Sequence, residues 1–423
     1  MPNGSIQVLT MNTPMKSPLD SPIILAFSGG LDTSFCVPWL RDTYQRPVVT
    51  VCINTGGVNA DAAHALEERA MALGAREHVL VEARQVFFDQ VIKFLIAGNV
   101  RRGHLYPLCV GAERGIQATL LAKIATERGS DTVAHGCTAA GNDQVRFEVA
   151  LRTINPDLTI LAPVRDQAFV RSEQIKYLQD HDLPIPSKGS DYSINRGLWG
   201  VSIGGTETLD SKESIPEHAW ELSAGAMNNP RAAETHTIGF WQGVPVSLDG
   251  EQMAPVPLIE ALERKAAVFG IGRGIHVGDT VLGIKGRVAF EAPAAEVLLT
   301  AHRELEKLTL TALQTRVKDS VAAVYSDFIH EGKQLDAVCV DIESLLNSSQ
   351  RYVTGEVKLQ FRPGSVFVEG VDSPHSLMAA TTGVYGEAAG EWTAADALGF
   401  SKILSLPGML QTRAAGKSAA DKL

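Results

Sequence analysis

The stretch Ile24–Ser34, ILAFSGGLDTS, decides how the chain reads. An apolar run stops at Ser28-Gly29-Gly30, and Asp32, Thr33 and Ser34 follow before the sequence turns apolar again. A strand that ends there and leads into a helix at about Thr33 puts backbone N–H groups at a helix N-terminus. Glycine permits positive φ and close approach of a ligand. The unpaired N–H groups and the helix dipole favour an anion. Ser28, Thr33 and Ser34 can add hydroxyl donors. The pattern is a phosphate cradle at the carboxyl end of a strand, where parallel sheets bind their ligands. It is not GxxxxGK[ST], since no Lys follows, and it is not GxGxxG. The plain alternative is a Gly-rich turn with a Thr/Ser helix cap.

Working outward, the first half alternates. Apolar, β-branched runs at 22–27, 47–53, 77–83, 131–137 and 158–164 predict five strands. Helical spacing predicts helices over 60–74 and 115–129, each closed by a glycine, and over 171–182, ahead of Pro184. Such alternation predicts a parallel five-stranded nucleotide-binding sheet with helices on both faces, an α/β fold. Residues 184–256 lose this period. HTIGFWQGVPVSL (236–248) reads as hairpin strands, 257–269 and 292–330 as helices, and 350–374 as antiparallel strands about a Pro363-Gly364 turn. The expected organisation is a mobile leader (1–21), an α/β domain that carries the phosphate loop (22–183), a mixed α+β domain (184–405) and a small, polar C-terminal tail (406–423), helical or frayed.

The 423 residues carry 38 Lys+Arg against 48 Asp+Glu, a formal charge of −10, which argues against nucleic acid as an obligatory partner. No segment reads as a secretory signal or a membrane span. The five cysteines are scattered without a CxxC pair, the pattern of reduced packing thiols in a cytoplasmic protein rather than of a zinc site.

The second informative stretch is AHGCTAAGNDQVRFE (134–148). It follows the fourth strand and therefore shares an edge with the first loop. Thr138, Asn142, Asp143 and Arg146 offer a hydroxyl, an amide, a carboxylate and a guanidinium. Asn142 and Arg146 stand at i and i+4, on one helix face. Amino-acid ligands need this mix: Arg for a carboxylate, Asp for an ammonium, Asn for an amide-like group. The plain alternative is a polar loop with an Asn-Asp cap.

The SGG-x-D-[ST]-S loop resembles that of the N-type ATP pyrophosphatases. Together with HGCTAAGNDQVRFE it closely resembles the argininosuccinate synthase family, with its SGGLDTS and HG-x-T-x-x-GNDQVRFE. The similarity continues through LPIP (183–186), SINRGLWGVSIGG (193–205), FGIGRGI (269–275), SPHSLM (373–378) and TAADALGF (393–400), and so spans about residues 22 to 405. The resemblance implies a ligase of arginine biosynthesis that adenylates citrulline with ATP and then couples it to aspartate. It implies ATP binding for the first domain (22–183) and a synthetase and multimerisation role for the second (184–405). It implies ATP contacts from Ala26, Phe27, Ser28, Gly29, Gly30, Leu31, Asp32, Thr33, Ser34, Ile53 and Gly136. Gly136 would let the nucleotide approach, and Asp32 would help place the loop or a Mg²⁺ that bridges the phosphates. Aspartate would meet Thr138, Asn142 and Asp143. Citrulline would meet Tyr106, Asn142, Arg146, Ser193 and Ser202. A homotetramer, with the C-terminal region crossing between subunits, is also implied.

Three citrulline-side positions depart from the family pattern: Gly111 replaces a Ser, Gly278 a Glu and Phe290 a Tyr. Arg101, Arg102, Arg114 or Asp279 could substitute. Alternatively the acceptor is an N-acylated citrulline, for which a lost carboxylate and a gained glycine would make room. A tRNA-thiolating relative, which would need basic surface and paired cysteines, and a nucleotide-binding module without chemistry are the competing classes.

Overall fold

A computed structural model describes residues 21–186 and 192–416. The leader expected over 1–21 thus lies outside the described residues but for Ser21, as do positions 417–423 of the tail. The described residues form two compact units that meet in sequence at Ser373 and Pro374.

The first unit opens with β1 (Ile23–Ala26), α1 (Leu31–Tyr44), β2 (Val48–Asn54), α2 (Ala60–Ala72) and β3 (Glu77–Glu82). A π turn at Phe88–Ile92 then joins α3 (Arg84–Phe87) to α4 (Lys93–Ala97). Next come α5 (Arg114–Glu127), β4 (Thr132–Ala134), α6 (Asp143–Ile154), β5 (Thr159–Leu161), α7 (Pro163–Asp166) and α8 (Arg171–Asp180). The five strands are parallel, in the order β3-β2-β1-β4-β5. Side chains alternate across a strand. Ile23 and Leu25 accordingly pack with Phe35, Leu40, Leu73 and Leu178. Ile24 faces the other way, onto Leu121, Phe147 and Leu151. Helices therefore cover both faces, as the alternation predicted. The chain builds outward from β1 through β2 to β3, then returns to β4 on the other side. That reversal between β1 and β4 opens a crevice at their carboxyl ends, where such sheets bind ligands.

The remainder of this unit is built on two antiparallel sheets. Strands β6 (Ser193–Gly197), β7 (Gly200–Gly204), β11 (Arg273–Asp279) and β12 (Lys285–Glu291) form one, in the order β11-β12-β7-β6. Strands β8 (Glu234–Trp241), β9 (Val244–Leu248), β10 (Glu251–Gln252), β13 (Gly355–Arg362) and β14 (Ser365–Asp372) form the other, in the order β10-β9-β8-β13-β14. Both predicted hairpins are present. Helices α9 (Pro255–Ala267), α10 (Pro293–Thr309), α11 (Ala312–Glu331) and α12 (Ala337–Ser349) complete it.

The helix expected over 292–330 is two helices. Leu310 is extended, and Thr311 caps α11 through a box with Gln314. The Thr-x-x-Gln signature was present in the sequence. Helix α12, capped by Asp336, was not anticipated. The last turn of α10 buries Glu306, which accepts from Asn99 at 2.5 Å, from Gln350 at 2.9 Å and from Lys318 at 3.0 Å.

The second unit holds α13 (Leu377–Ala380) and α14 (Ala394–Ala414), the latter capped by a Thr393/Asp396 box. No residue of α14 is buried, although it carries Phe400, Ile403, Leu404 and Leu410.

Candidate active site

One cavity opens at the β1/β4 edge and a second lies beside it, across the head of α6. The larger, about 710 Å³, is lined by the Gly-rich loop, the ends of β2 and β4, the head of α6 and β6. The smaller, about 200 Å³, lies between α6, the β11–β12 hairpin and Tyr106. Asn142, Asp143, Arg146 and Asn195 border both.

The loop behaves as a helix N-terminus, with α1 starting at Leu31, two residues earlier than expected. The first-turn N–H groups have no intrahelical acceptor. Gly29 sits at φ +73°, and a Cβ there would overlap the Leu66 side chain. Its carbonyl accepts from Arg69 at 2.6 Å, a brace from α2 that the sequence reading missed. Gly30 has an ordinary φ of −72°. Ala26, Phe27, Ser28, Gly30, Asp32, Thr33, Ile53, Gly136 and Thr138 all line the larger cavity, whereas Gly29, Leu31 and Ser34 stand behind its wall. The donor role expected of Ser34 is corrected accordingly: its hydroxyl is buried and donates to the Gly29 carbonyl at 3.4 Å. Gly136 lines the larger cavity as well, and a Cβ there would stand 3.0 Å from Thr33 and 3.2 Å from the Asp32 backbone, so this glycine also lets the β4 loop close on the phosphate loop.

Among the described residues, no group of three or more His, Cys, Asp or Glu side chains gathers to hold a metal. Asp32 is a single carboxylate beside the phosphate loop. That suits Mg²⁺ carried largely on phosphate oxygens and water.

Asn142 heads α6, and its side-chain oxygen accepts from Val281 N–H in the β11–β12 turn at 2.9 Å. Asp143 accepts from Arg146 at 2.8 Å and from Arg114 at 3.0 Å. Burial would raise its pKa, but the two guanidinium groups outweigh burial and hold it below the usual carboxylate range. Arg146 is buried and pinned twice more, donating to the His330 carbonyl at 2.7 Å and to His330 Nδ1 at 3.2 Å. Since Arg only donates, Nδ1 is the acceptor and the proton of the neutral ring sits on Nε2. Burial, then Arg146 and Arg102, push His330 down to about 3.

Tyr106 is buried, stacked on His276 at 5.6 Å and tilted against Phe290 at 5.1 Å. Burial pushes its phenol up and, followed by Arg102, pushes His276 down. Ser202 lies opposite both Asn195 and Phe290 and lines the smaller cavity. Ser193 lines the larger one, so the two serines do not share a pocket.

Of the four suggested substitutes, Arg101 lines neither cavity and pairs with Glu296 at 3.0 Å. Asp279 is exposed and pairs with Lys285 at 2.6 Å. Arg102 lines the smaller cavity and Arg114 the larger. Two of the three departures also open no room. A Cβ at Gly278 would run into the His276 ring, and one at Gly111 would stand 3.1 Å from the Arg146 guanidinium. Sequence reasoning missed His276 and His330, which only the fold brings to the site, and passed over Asn195 and Glu113, neighbours of the named Ser193 and Arg114.

Residues 22–184 match the family model described as the arginosuccinate synthase N-terminal HUP domain, and 192–411 match the C-terminal domain. The chain belongs to the argininosuccinate synthase family. It is 40% identical over 393 residues to an argininosuccinate synthase of Xanthomonas campestris, covering 92% of this chain and 97% of the relative. It is 37% identical over 398 residues to one of Dehalococcoides mccartyi, covering 93% and 97%. A Methanocaldococcus jannaschii argininosuccinate synthase is 38% identical over 357 residues, covering 84% and 89%.

Proposed function

We propose that this chain is an ATP-dependent ligase of arginine biosynthesis that joins L-citrulline to L-aspartate, releasing AMP and pyrophosphate. One observation carries the reading: Asn142, Asp143 and Arg146 stand between a cleft headed by the Ser28–Thr33 loop and a separate small pocket. An acceptor in the small pocket and ATP in the cleft would meet along that wall. In the first step the ureido oxygen attacks the α-phosphorus, and pyrophosphate leaves toward N–H groups already oriented for it. In the second the amine of aspartate displaces AMP from the citrullyl adenylate. Thr138, Asn142 and Asp143 would hold aspartate, and Tyr106, Arg146 and Ser202 would hold citrulline, with Ser193 on the cleft side. Mg²⁺, carried on the phosphates beside Asp32, would neutralise charge there. Alignment of the reactants supplies much of the rate. In this reading the first domain (22–183) serves the nucleotide, and β6, β7 and the β11–β12 hairpin of the domain that follows complete the acceptor side. The filled space at Gly278 and Gly111 favours plain citrulline over an N-acylated form.

The test is AMP and pyrophosphate formation from ATP and citrulline, with and without aspartate. Argininosuccinate appearing only with all three substrates is the expected result. ATP turnover that ignores citrulline would overturn the reading.

The apolar side chains left exposed along α14 support a homotetramer in which this helix packs on another subunit, measurable by light scattering. Among the described residues, no helix is long and apolar enough to cross a membrane. A cytoplasmic location is proposed with it.

A further inference from the structure

The carboxylates lining the two cavities are Asp32, Glu113, Asp143 and Asp279. Asp279 pairs with Lys285, and Asp143 receives two guanidinium groups. Glu113 differs from all of them. It ends the short turn Gly111–Glu113 that leads into α5 and is only 2% exposed. One oxygen takes Arg114 at 3.2 Å, and the other has no hydrogen-bond partner. That open oxygen rests against Gly197, where any side chain would collide with it.

Arg114 ties this carboxylate to the donor-site residues. It donates through Nε to Asp143 at 3.0 Å and through Nη1 to Glu113 at 3.2 Å, so the two carboxylates flank one guanidinium. A buried carboxylate oxygen left without a donor is costly. Glu113 lines the larger cavity, and a rotation of its carboxylate away from Gly197 would give that oxygen its donor in a substrate ammonium arriving beside Asp143. An ammonium is also what must lose a proton before it can attack.

We propose that Glu113 receives the ammonium of the amino donor and takes its proton in the second half-reaction. This rests on the ligase reading above. One N–H bond breaks and its proton passes to the Glu113 carboxylate. The freed lone pair forms the new C–N bond at the amidine carbon of the protonated adenylate. The C–O bond to AMP breaks, and its electron pair leaves with the phosphate. The second amine proton, released as the guanidinium forms, goes to the departing phosphate. Burial, opposed by Arg114, pushes Glu113 up to about 7, which suits a base that must both take and return a proton near neutrality. The groups facing it are Arg114 and the buried Cys109 thiol from its own stretch, Asp143 from α6 and the Thr55 hydroxyl after β2.

The experiment separates the half-reactions. Exchange of labelled pyrophosphate into ATP with citrulline alone reads adenylation, and argininosuccinate formation reads the whole sequence. Glu113→Gln should leave exchange within about twofold and lower the overall kcat by roughly 10²–10⁴-fold, as loss of a proton acceptor does. It should also abolish the acid limb near pH 7 in kcat/KM for aspartate. Glu113→Asp should keep the limb at a lower rate. Equal loss of exchange and overall turnover in both variants marks a structural ion pair and overturns the proposal. So does Glu113→Gln with wild-type turnover and an unchanged acid limb. Wild-type protein without citrulline-dependent exchange overturns the ligase reading itself, and this inference with it.

Discussion

A Cβ at Gly111 would stand 3.1 Å from Nη2 of Arg146. The guanidinium occupies that space while hydrogen-bonded to Asp143 and twice to His330. It has little freedom to retreat. Gly111→Ala is therefore expected to raise the KM for citrulline by roughly three- to tenfold, about 0.7–1.4 kcal/mol of binding, with the KM for ATP unchanged. Steady-state kinetics with each substrate varied in turn checks this.

The two loop glycines should behave differently. Gly29→Ala forces a side chain into φ +73° and onto Leu66, so it should lower stability by about 1–3 kcal/mol as well as activity. Gly30 has an ordinary φ, and the nearest atom to a Cβ there is Ser28 Oγ at 3.5 Å. Gly30→Ala should fold normally and lose ATP affinity alone. Equal melting temperatures for the two variants would contradict the distinction.

Asp143→Asn removes the anion between Arg114 and Arg146. The KM for aspartate should rise roughly ten- to a hundredfold, the worth of a hydrogen bond to a charged group. The KM for citrulline should rise less, through the loosened Arg146. A rise confined to ATP would refute the assignment.

Acid should weaken the fold early. Burial pushes His330 down to about 3 and His135 down to about 4, each from an ordinary 6.5. A histidine with a depressed folded-state pKa binds its proton more readily when unfolded. Its stabilising contribution is complete above pH 6.5 and is lost as pH falls toward the folded value, at about 1.4 kcal/mol per unit per residue. Urea titrations between pH 4 and 7 should show this slope. His330→Asn, which keeps an acceptor for Arg146, should make it shallower.

Gly278→Glu tests the acceptor pocket. The new side chain must displace His276 from its stack on Tyr106. Citrulline kcat/KM should fall several-fold, unless the ammonium of citrulline pairs with the new carboxylate and restores it. N-acylated citrulline should stay a poor substrate in both proteins. High activity on the acylated form in the wild type would show that the pocket reads a different acceptor.

Local patterning made much of this legible. The ILAFSGG boundary marks a strand, a turn and a helix within eleven residues, and the five apolar runs each became a strand of one parallel sheet. The break at Leu310 was written in Thr311-x-x-Gln314 but hidden inside a continuous helical period. Glu113, His276 and His330 carried no local signal. The two histidines acquire their chemistry from partners far away in sequence, as His330 does from Arg146 across 184 positions, and Glu113 acquires its own from burial against Gly197. Gly136 shows what a motif leaves out: its place suggested contact with nucleotide, and the fold adds a close approach to the Asp32–Thr33 backbone that a Cβ would obstruct.

The hydrogen bond from Val281 to Asn142 makes one amide serve two masters. Its oxygen is already engaged by the β11–β12 turn, so its NH₂ group and one oxygen lone pair remain for a ligand. Any redesign of amino-donor preference at position 142 would therefore also unfasten the hairpin that roofs the acceptor. A variant obtained that way could lose citrulline first, and its phenotype would be charged to the wrong substrate.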